Sequence, residues 1–143
     1  MPIMQIDYGT PEYNQMLKLR EEILRRPLGL VYTREDLEPD KKDVLIGAMD
    51  DGRMIGCCIL RAEGPDNIRL RQMAVRNNQQ GKGIGQQIMR FAEMLARDKG
   101  YRVLTMHARD TALGFYEKQG YKVVGEMFYE VTIPHHKMEK LLI

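Results

Sequence analysis

The sequence predicts a mixed α/β domain, of the α+β type, in which a central sheet carries helices on both faces. Three observations predict it: the order of strand-like and helix-like segments, a hairpin signal at Asp51-Gly52, and a glycine-rich turn between a strand and an amphipathic helix. The chain has 143 residues, 43% of them hydrophobic, and so has the size and composition of a single folded domain spanning residues 1–143.

Local signals mark the ends of several predicted elements. Thr10 followed by Pro11 is typical of the start of a helix, and Pro27 predicts its end. Both residues of Asp51-Gly52 tolerate the positive φ of a tight hairpin turn. The predicted strands are Ile3–Asp7, Val44–Met49, Arg53–Arg61, Ile68–Val75, Arg102–His107, Tyr121–Val131 and, after Pro134, His136–Leu142. The predicted helices run from Thr10 to Arg25 or Arg26, from Arg34 to Leu37, from an opening at Gly81 to Lys99, and from Thr111 to Lys118.

Charge and composition exclude several classes of protein. A net charge of +2 is too small for a nucleic-acid-binding or membrane-surface protein, so the local basic residues indicate a small anionic ligand. No apolar run approaches the roughly 20 residues of a membrane span, and the first residues lack a signal segment. The neighbours Cys57 and Cys58 point to opposite faces of a strand, which favours reduced thiols and a cytoplasmic location. No set of residues has the spacing of a metal site.

The glycine-rich turn Gln80–Gly85 is predicted to bind an anion. Its glycines expose backbone N–H groups where a strand ends and a helix begins, at the positive end of the helix dipole. Residues 67–92 contain no Asp or Glu but five Lys or Arg residues. The alternative is a loop needed only for tight packing between the strand and the helix. Lys82 either adds a charge near the anion or is a solvated side chain.

Two motifs resemble those of the GNAT superfamily of acetyl-CoA-dependent N-acetyltransferases. The hallmark Gln/Arg-x-x-Gly-x-Gly/Ala falls on Gln80, Gly83 and Gly85, after a strand and at the opening of a helix. The second signature, on the penultimate helix, is present as Phe115-Tyr116-Glu117-Lys118-Gln119-Gly120-Tyr121. The resemblance covers nearly the whole chain. It implies a GNAT-like fold with a twisted, mostly antiparallel sheet of about seven strands, splayed between the fourth and the fifth.

Two further stretches resemble the bacterial ElaA and YjcF types within this superfamily. They are Leu24-Arg25-Arg26-Pro27-Leu28-Gly29-Leu30 and Ile133-Pro134-His135-His136-Lys137-Met138. This narrower resemblance carries no information about the amine acceptor.

The resemblance to the superfamily implies which residues bind acetyl-CoA and which catalyse. Amides of the glycine turn would bind the pyrophosphate, and the preceding Met73-Ala74-Val75 would pair with the pantetheine arm like an added strand. A backbone N–H of Ala74 or Val75 would polarise the thioester carbonyl. Tyr116 would be the general acid that protonates the departing thiolate, with Phe115 beside it in the core. The implied cofactor-binding residues are Met73, Ala74, Val75, Gln80, Gly81, Lys82, Gly83, Ile84 and Gly85.

The acceptor side of the reaction stays open in the sequence. His135 fits the Pro-His pattern of the narrower subgroup and is the first candidate for lining the acceptor site, with a structural histidine as the alternative. Arg20, Arg25 and Arg26 would either bind a carboxylate of the acceptor or face solvent. The general base is not identified, and its candidates are Glu63, Glu126, Glu130, His107, His135 and His136. A homodimer is also left open, because members of this architecture often dimerise.

Three functions compete for this sequence. The first is an N-acetyltransferase that moves an acetyl group from acetyl-CoA to a primary amine by direct attack in a ternary complex. The second is a non-catalytic acyl-CoA-binding or regulatory module on the same fold, which has no need of a proton donor at Tyr116. The third is a nucleotide-binding protein. A Walker-type loop is excluded because no Gly-Lys-Ser/Thr ends the turn, and a dinucleotide motif fails because the glycines are not spaced as Gly-x-Gly-x-x-Gly.

Overall fold

The computed structural model describes residues 2–142 and shows a mixed α/β fold. The strands are β1 Ile3–Ile6, β2 Val44–Asp50, β3 Arg53–Ala62, β4 Asn67–Val75, β5 Val103–Arg109, β6 Lys122–Glu130 and β7 Ile133–Leu141. The α-helices are α1 Pro11–Arg20, α2 Arg34–Leu37, α3 Ile84–Asp98 and α4 Leu113–Glu117. The seven strands form one sheet in the order β1-β2-β3-β4-β5-β7-β6. The predicted fold class is confirmed, with a mostly antiparallel sheet and one parallel pair, β4 with β5.

The chain divides into two compact units, each of which takes its residues from two stretches of sequence. Unit 1 contains the chain up to Arg61 together with Gln72–Ala92. Unit 2 contains Ala62–Arg71 together with the chain from Glu93 onward. Both β4 and α3 therefore contribute residues to each unit. The prediction of a single domain stays a prediction.

In unit 1, helices cover both faces of the sheet. Met16 and Leu19 of α1 pack with Cys57 and other strand residues in one buried cluster. On the other face α3 approaches β3 so closely that a Cβ on Gly56 would lie 2.7 Å from the Ile88 side chain. Because successive residues of a strand point to opposite faces, Gly56 and Cys57 separate these two layers. Glycine is therefore needed at position 56 for the close packing of α3.

The predicted signals around the first helix are present in the structure. The Thr10 side chain accepts a hydrogen bond from the Tyr13 N–H at 3.2 Å, which caps α1. Beyond Arg20 the chain continues as a π-helical turn over Glu21–Arg25 and a 3-10 turn over Arg26–Leu28. The helical path thus ends near Pro27, as predicted, but its regular α-helical part ends at Arg20.

The hairpin predicted at Asp51-Gly52 is confirmed. Asp51 and Gly52 have φ angles of 50° and 75°, and Asp50 pairs with Arg53 across the turn. These are the two left-handed central residues of a tight hairpin, whose twist matches that of the flanking strands.

The parallel ladder between β4 and β5 is short. It runs from Asn67 paired with Val103 to Leu70 paired with Met106, whereas β5 pairs with β7 as far as Arg109. The predicted splay between the fourth and fifth strands stays a prediction.

The last hairpin differs from the prediction at both of its strands. β6 ends at Glu130, and Val131 and Thr132 form its two-residue turn with φ angles of 46° and 63°. The predicted strand break at Pro134 is wrong, because Pro134 lies within β7 and pairs with Tyr129. Proline is tolerated there because the ladder with β5 begins only at the next residue, so β7 has a strand neighbour on one side.

The backbone strain in this turn predicts the outcome of two matched substitutions at Thr132. A Thr132→Gly variant is expected to be more stable than Thr132→Ala by about 1 kcal/mol, because only alanine keeps a Cβ in the left-handed region. Both variants lose the Thr132 hydroxyl, which contacts the Val131 carbonyl, so their difference isolates the backbone. Urea unfolding followed by circular dichroism measures it, and equal stabilities would show that the turn is not strained.

Candidate active site

The glycine turn leads from the end of β4 into α3. Gly81 and Gly83 have φ angles of 82° and 80°, a region that costs residues with a Cβ about 1–2 kcal/mol. Because both glycines are left-handed, they precede the helix, which starts at Ile84 and not at Gly81 as predicted. The hydrogen bond from the Gln87 N–H to the Gly83 carbonyl, 3.1 Å long, closes the first helical turn.

The N-terminus of α3 has the charge and the space to accept an anion. The first N–H groups of a helix lack intrahelical acceptors and carry the positive end of its dipole. The first turn of α3 contains no acidic residue. A Cβ placed on Gly81 or Gly83 would meet no atom of the described chain within 4 Å. Donors and open space therefore lie together at this point.

The Gln80 side chain holds the turn against the end of β4. Its Nε2 donates hydrogen bonds to the Val75 carbonyl at 3.0 Å and to Asn77 Oδ1 at 3.3 Å. The glutamine of the motif therefore supports the protein's own backbone, which leaves the amides of the turn to meet a ligand. Lys82 is exposed, and its Nζ donates to Gln79 Oε1 at 3.4 Å.

Gln72 interrupts the regular backbone of β4. Its φ is 56°, in the left-handed region that costs a residue with a Cβ about 1–2 kcal/mol. A left-handed residue inside a strand is typical of a β-bulge, which redirects the residues that follow. The Tyr32 hydroxyl donates to Gln72 Oε1 at 2.6 Å, and the Cys57 thiol lies 3.6 Å from the Gln72 carbonyl oxygen.

After this bulge, successive backbone N–H groups of β4 point to opposite edges of the strand. The Arg76 N–H donates to the Ile55 carbonyl of β3 at 2.8 Å. The N–H of Ala74, two residues earlier, therefore points toward β3 as well. The Ala74 N–H accordingly lies toward the Cys57 sulfur. Of the two amides predicted to polarise the thioester, Val75 points away from β3 and Ala74 points toward it.

In unit 2, the predicted general acid Tyr116 lies on the short helix α4. The residue is 7% exposed, and its ring contacts those of Phe115 and Tyr121 with centroid distances of 5.0 and 6.1 Å. The Gln119 and Tyr121 N–H groups both donate to the Tyr116 carbonyl, which fixes its backbone. The expectation that Phe115 lies in the core is wrong, because Phe115 is 40% exposed.

A buried polar cluster beside Tyr116 was not predicted. The Tyr121 hydroxyl donates to Glu93 Oε2 at 2.7 Å, and Lys140 Nζ lies 3.2 Å from both Glu93 oxygens. Burial, followed by the bond to Glu93, raises the pKa of Tyr121 well above its ordinary value of 10. Tyr121 and Glu93 are 28 positions apart, and no local pattern in the sequence could have paired them.

Arg20 neither faces solvent nor is placed to bind an acceptor carboxylate, so both expectations for it are wrong. The side chain is buried, and its Nη1 donates to Asp40 Oδ2 at 2.9 Å. The Tyr13 hydroxyl donates to the same oxygen at 2.7 Å. Burial and then the Asp40 carboxylate raise the pKa of Tyr13 above its ordinary value. This buried cluster lies wholly in unit 1.

The other two arginines of this segment differ in their surroundings. Arg25 is half-buried, and its guanidinium carbon lies 4.5 Å from the centre of the Tyr32 ring. Arg26 is exposed, with its Nη2 3.9 Å from Glu21 Oε1. The prediction that Arg25 belongs to the acceptor site stays a prediction.

In unit 2, His135 belongs to a group of titratable residues around Glu130. His135 is 4% exposed, its Nδ1 lies 2.8 Å from the Ile133 carbonyl, and its Nε2 lies 3.7 Å from Glu130 Oε2. His107 Nδ1 is 3.0 Å from Glu130 Oε1 and 2.7 Å from Arg69 Nη2. A single ring nitrogen cannot accept from Arg69 and donate to Glu130 at once, so the tautomer of His107 decides which of these contacts is a hydrogen bond.

The environment of Glu130 favours its ionised form. Burial opposes ionisation, but the hydrogen bond with His107 and the charges of His107, His135 and Arg69 outweigh it, which lowers the pKa of Glu130. Among the candidate bases, Glu130 is thus the carboxylate that lies near His107, His135 and Arg69. Glu63 accepts from Thr105 at 3.0 Å, and His136 Nδ1 lies 2.8 Å from Asp110.

Neither a metal-binding group of side chains nor a membrane-spanning helix is found among residues 2–142. No group of three or more His, Cys, Asp or Glu side chains is arranged to hold a metal ion. Within the same residues, no helix is both long and apolar enough to span a bilayer.

Comparison with known proteins identifies a family. The model of the acetyltransferase (GNAT) domain matches residues 29–142 of the chain. YjcF of Bacillus subtilis, named an uncharacterized N-acetyltransferase, is 34% identical over 73 residues that cover 50% of this chain and 52% of YjcF. The chain thus spans about half the length of the curated relatives that it matches.

Two solved structures share the fold over nearly their whole lengths. An aminoglycoside 6'-N-acetyltransferase complexed with coenzyme A superposes with a TM-score of 0.84 at 18% identity, covering 100% of this chain and 98% of that chain. Escherichia coli ElaA gives a TM-score of 0.82 at 16% identity, covering 97% and 98%. Such identities show likeness of fold alone. The match to the family model, which covers most of the chain, shows that the chain belongs to the GNAT acetyltransferase family.

Proposed function

We propose that this protein is an acetyl-CoA-dependent N-acetyltransferase that acts on a primary amine. The observation that carries the proposal is the acid-free N-terminus of α3, with left-handed Gly81 and Gly83 before it. Amides at the start of a helix are ready donors to phosphate oxygens, and a CoA pyrophosphate is an anion of suitable charge. Membership of the acetyltransferase family and a structural neighbour that binds coenzyme A support it.

In the proposed reaction, different residues around this turn bind the pyrophosphate, bind the pantetheine arm and polarise the thioester carbonyl. The amides from Gln80 to Gly85 bind the pyrophosphate, and the backbone of Met73–Val75 pairs with the pantetheine arm. The Val75 N–H is the better candidate to polarise the thioester carbonyl, because it points away from β3. Ala74, whose N–H faces Cys57, is the weaker one.

The transfer itself is proposed to occur by direct attack in a ternary complex. The amine nitrogen attacks the thioester carbon, and the negative charge that develops on oxygen is stabilised by the backbone donor. When the carbon–sulfur bond breaks, Tyr116 gives its proton to the thiolate. The attacking nitrogen releases one proton to water or a base as the amide forms, and Tyr116 takes a proton back from the solvent, so no net proton is left on the protein. Tyrosine ordinarily titrates near pH 10, so it holds a proton at neutral pH until the thiolate takes it.

For the amine acceptor, we propose candidate residues without assigning a contact to each. His135 and Arg25 stay the candidates for lining the acceptor site. Glu130 stays one of the candidate bases, and its lowered pKa makes it a weaker proton acceptor than an ordinary carboxylate. The two cysteines are free and buried thiols, which fits a reducing compartment, and the cytoplasm is the proposed location.

A matched pair of glycine substitutions tests the proposed acetyl-CoA site. Gly83 and Gly52 have φ angles of 80° and 75°, and at both positions an added Cβ meets no described atom within 4 Å. Alanine should therefore lower the free energy of unfolding by about 1 kcal/mol at either position. Only Gly83→Ala should also weaken acetyl-CoA binding, by about tenfold in Kd, because it reorients an amide of the turn.

Isothermal titration calorimetry with acetyl-CoA measures these affinities. Equal Kd values for Gly83→Ala, Gly52→Ala and the wild type would remove the turn from the binding site. Release of coenzyme A in the presence of a panel of primary amines then separates an enzyme from a non-catalytic acyl-CoA-binding module. A protein that binds acetyl-CoA but releases none with any amine would favour the module.

A further inference from the structure

The strained residue Gln72 lies directly before the segment that is proposed to pair with the pantetheine arm. Its φ of 56° is unfavourable for any residue with a Cβ. Conformations of this kind persist only where the surroundings hold them, and they concentrate at functional sites. What holds Gln72 therefore also sets the direction of the next three amides of β4.

Both ends of Gln72 are held by contacts from distant parts of the chain. The Tyr32 hydroxyl donates to its side-chain Oε1 at 2.6 Å, across 40 positions of sequence. The Cys57 thiol donates to its carbonyl oxygen at 3.6 Å. Burial raises the pKa of Cys57 to about 12, against the opposing effects of Arg20 and the Ala74 amide, so the thiol keeps its proton.

Tyr32 is in turn held by a charged cluster that is anchored in the core. The guanidinium carbons of Arg20 and Arg25 lie 4.8 and 4.5 Å from the centre of its ring, within the range of cation–π attraction. Arg20 is locked by its buried ion pair with Asp40. The hydroxyl that reaches Gln72 is therefore placed by rigid neighbours, although Tyr32 itself is half-buried in a connecting segment.

We propose that Tyr32 is a positioning residue whose hydrogen bond to Gln72 maintains the bulge of β4 and thereby aims the Val75 amide at the thioester. The inference rests on the proposed acetyltransferase function. In this arrangement Tyr32 touches neither the acetyl group nor the amine. It acts through Gln72 on the amides of Met73–Val75, so kcat should fall more than the affinity for acetyl-CoA does, because the glycine turn that binds the pyrophosphate is untouched.

The first test is Tyr32→Phe, which removes only the hydroxyl. It should lower kcat for acetyl transfer by about tenfold while the Kd for acetyl-CoA changes by less than about threefold. Tyr8→Phe is the matched control, since Tyr8 is a 40% exposed tyrosine of the same unit whose ring centre lies 4.8 Å from that of Tyr13. Its kcat should equal that of the wild type.

The second test separates backbone conformation from the loss of the side chain. Gln72→Ala and Gln72→Gly both remove the amide that Tyr32 binds, but only glycine occupies φ of 56° without strain. Gln72→Gly should therefore keep a kcat at least about threefold above that of Gln72→Ala. In the Gln72→Gly background, adding Tyr32→Phe should leave kcat unchanged, because the hydroxyl then keeps only its contact with the Arg20 side chain and none with β4.

Several results would overturn the inference. They are an unchanged kcat in Tyr32→Phe, equal kcat values for the two Gln72 variants, or an effect of Tyr32→Phe that persists in Gln72→Gly. If the wild type released no coenzyme A with any amine, the proposed function would fail by itself. The amide ¹H–¹⁵N shift of Val75 would then decide the positioning role: a shift in Tyr32→Phe but not in Tyr8→Phe supports it, and no shift contradicts it.

Discussion

Tyr116→Phe is expected to lower the kcat of acetyl transfer by about 10²–10⁴-fold, which is the usual contribution of general acid catalysis. The substitution removes the hydroxyl group, whose proton the departing thiolate would take. The ring stays, so its contacts with Phe115 and Tyr121 persist and the fold should be retained. Release of coenzyme A, measured at saturating acetyl-CoA and amine, gives the comparison.

A tyrosine at the surface of the same unit supplies the control for this experiment. Tyr129 is 68% exposed, and Tyr129→Phe should leave kcat unchanged. The Kd of Tyr116→Phe for acetyl-CoA should also stay close to that of the wild type, because the proton is transferred only as the bond breaks. If Tyr116→Phe turned over like Tyr129→Phe, water or another side chain would have to protonate the thiolate.

Removal of the Asp40 carboxylate should have the largest effect on stability. We expect Asp40→Ala to lower the free energy of unfolding by about 3–5 kcal/mol, because Arg20 is then left as a buried charge without its partner. The Tyr13 hydroxyl loses its acceptor in the same step. The free energy of unfolding of a domain is usually only about 5–15 kcal/mol, so Asp40→Ala would remove a large part of it.

The neighbouring acid Glu38 provides a matched control in the same 3-10 segment. Its ion pair with Lys41 is on the surface, with 58% of the Glu38 side chain exposed, and such pairs contribute little. Urea unfolding of Glu38→Ala should therefore follow that of the wild type, while the midpoint of Asp40→Ala falls well below it. Coincident midpoints for the two variants would mean that the buried pair adds nothing to stability.

The order of elements was predictable because its signals are local. The capping residue Thr10, the dipeptide Asp51-Gly52 and the glycine turn each act on the few residues around them. The turn Val131-Thr132 was missed for the same reason. Two β-branched residues are not a turn signal, and only the pairing of Glu130 with Ile133 across the strands reveals it.

The residues of the candidate site divide in the same way, into those marked by a local motif and those placed by contacts between distant residues. By itself, the sequence determined the anion-binding character of Gln80–Gly85 and the position of Tyr116 on the penultimate helix, because each is written in a short motif. Only the tertiary structure decided that Gln72 is left-handed and that Val75 turns away from β3. It also decided that Arg20 is buried against Asp40. The physical reason is that these features arise from contacts between residues 20 to 40 positions apart, which no local pattern encodes.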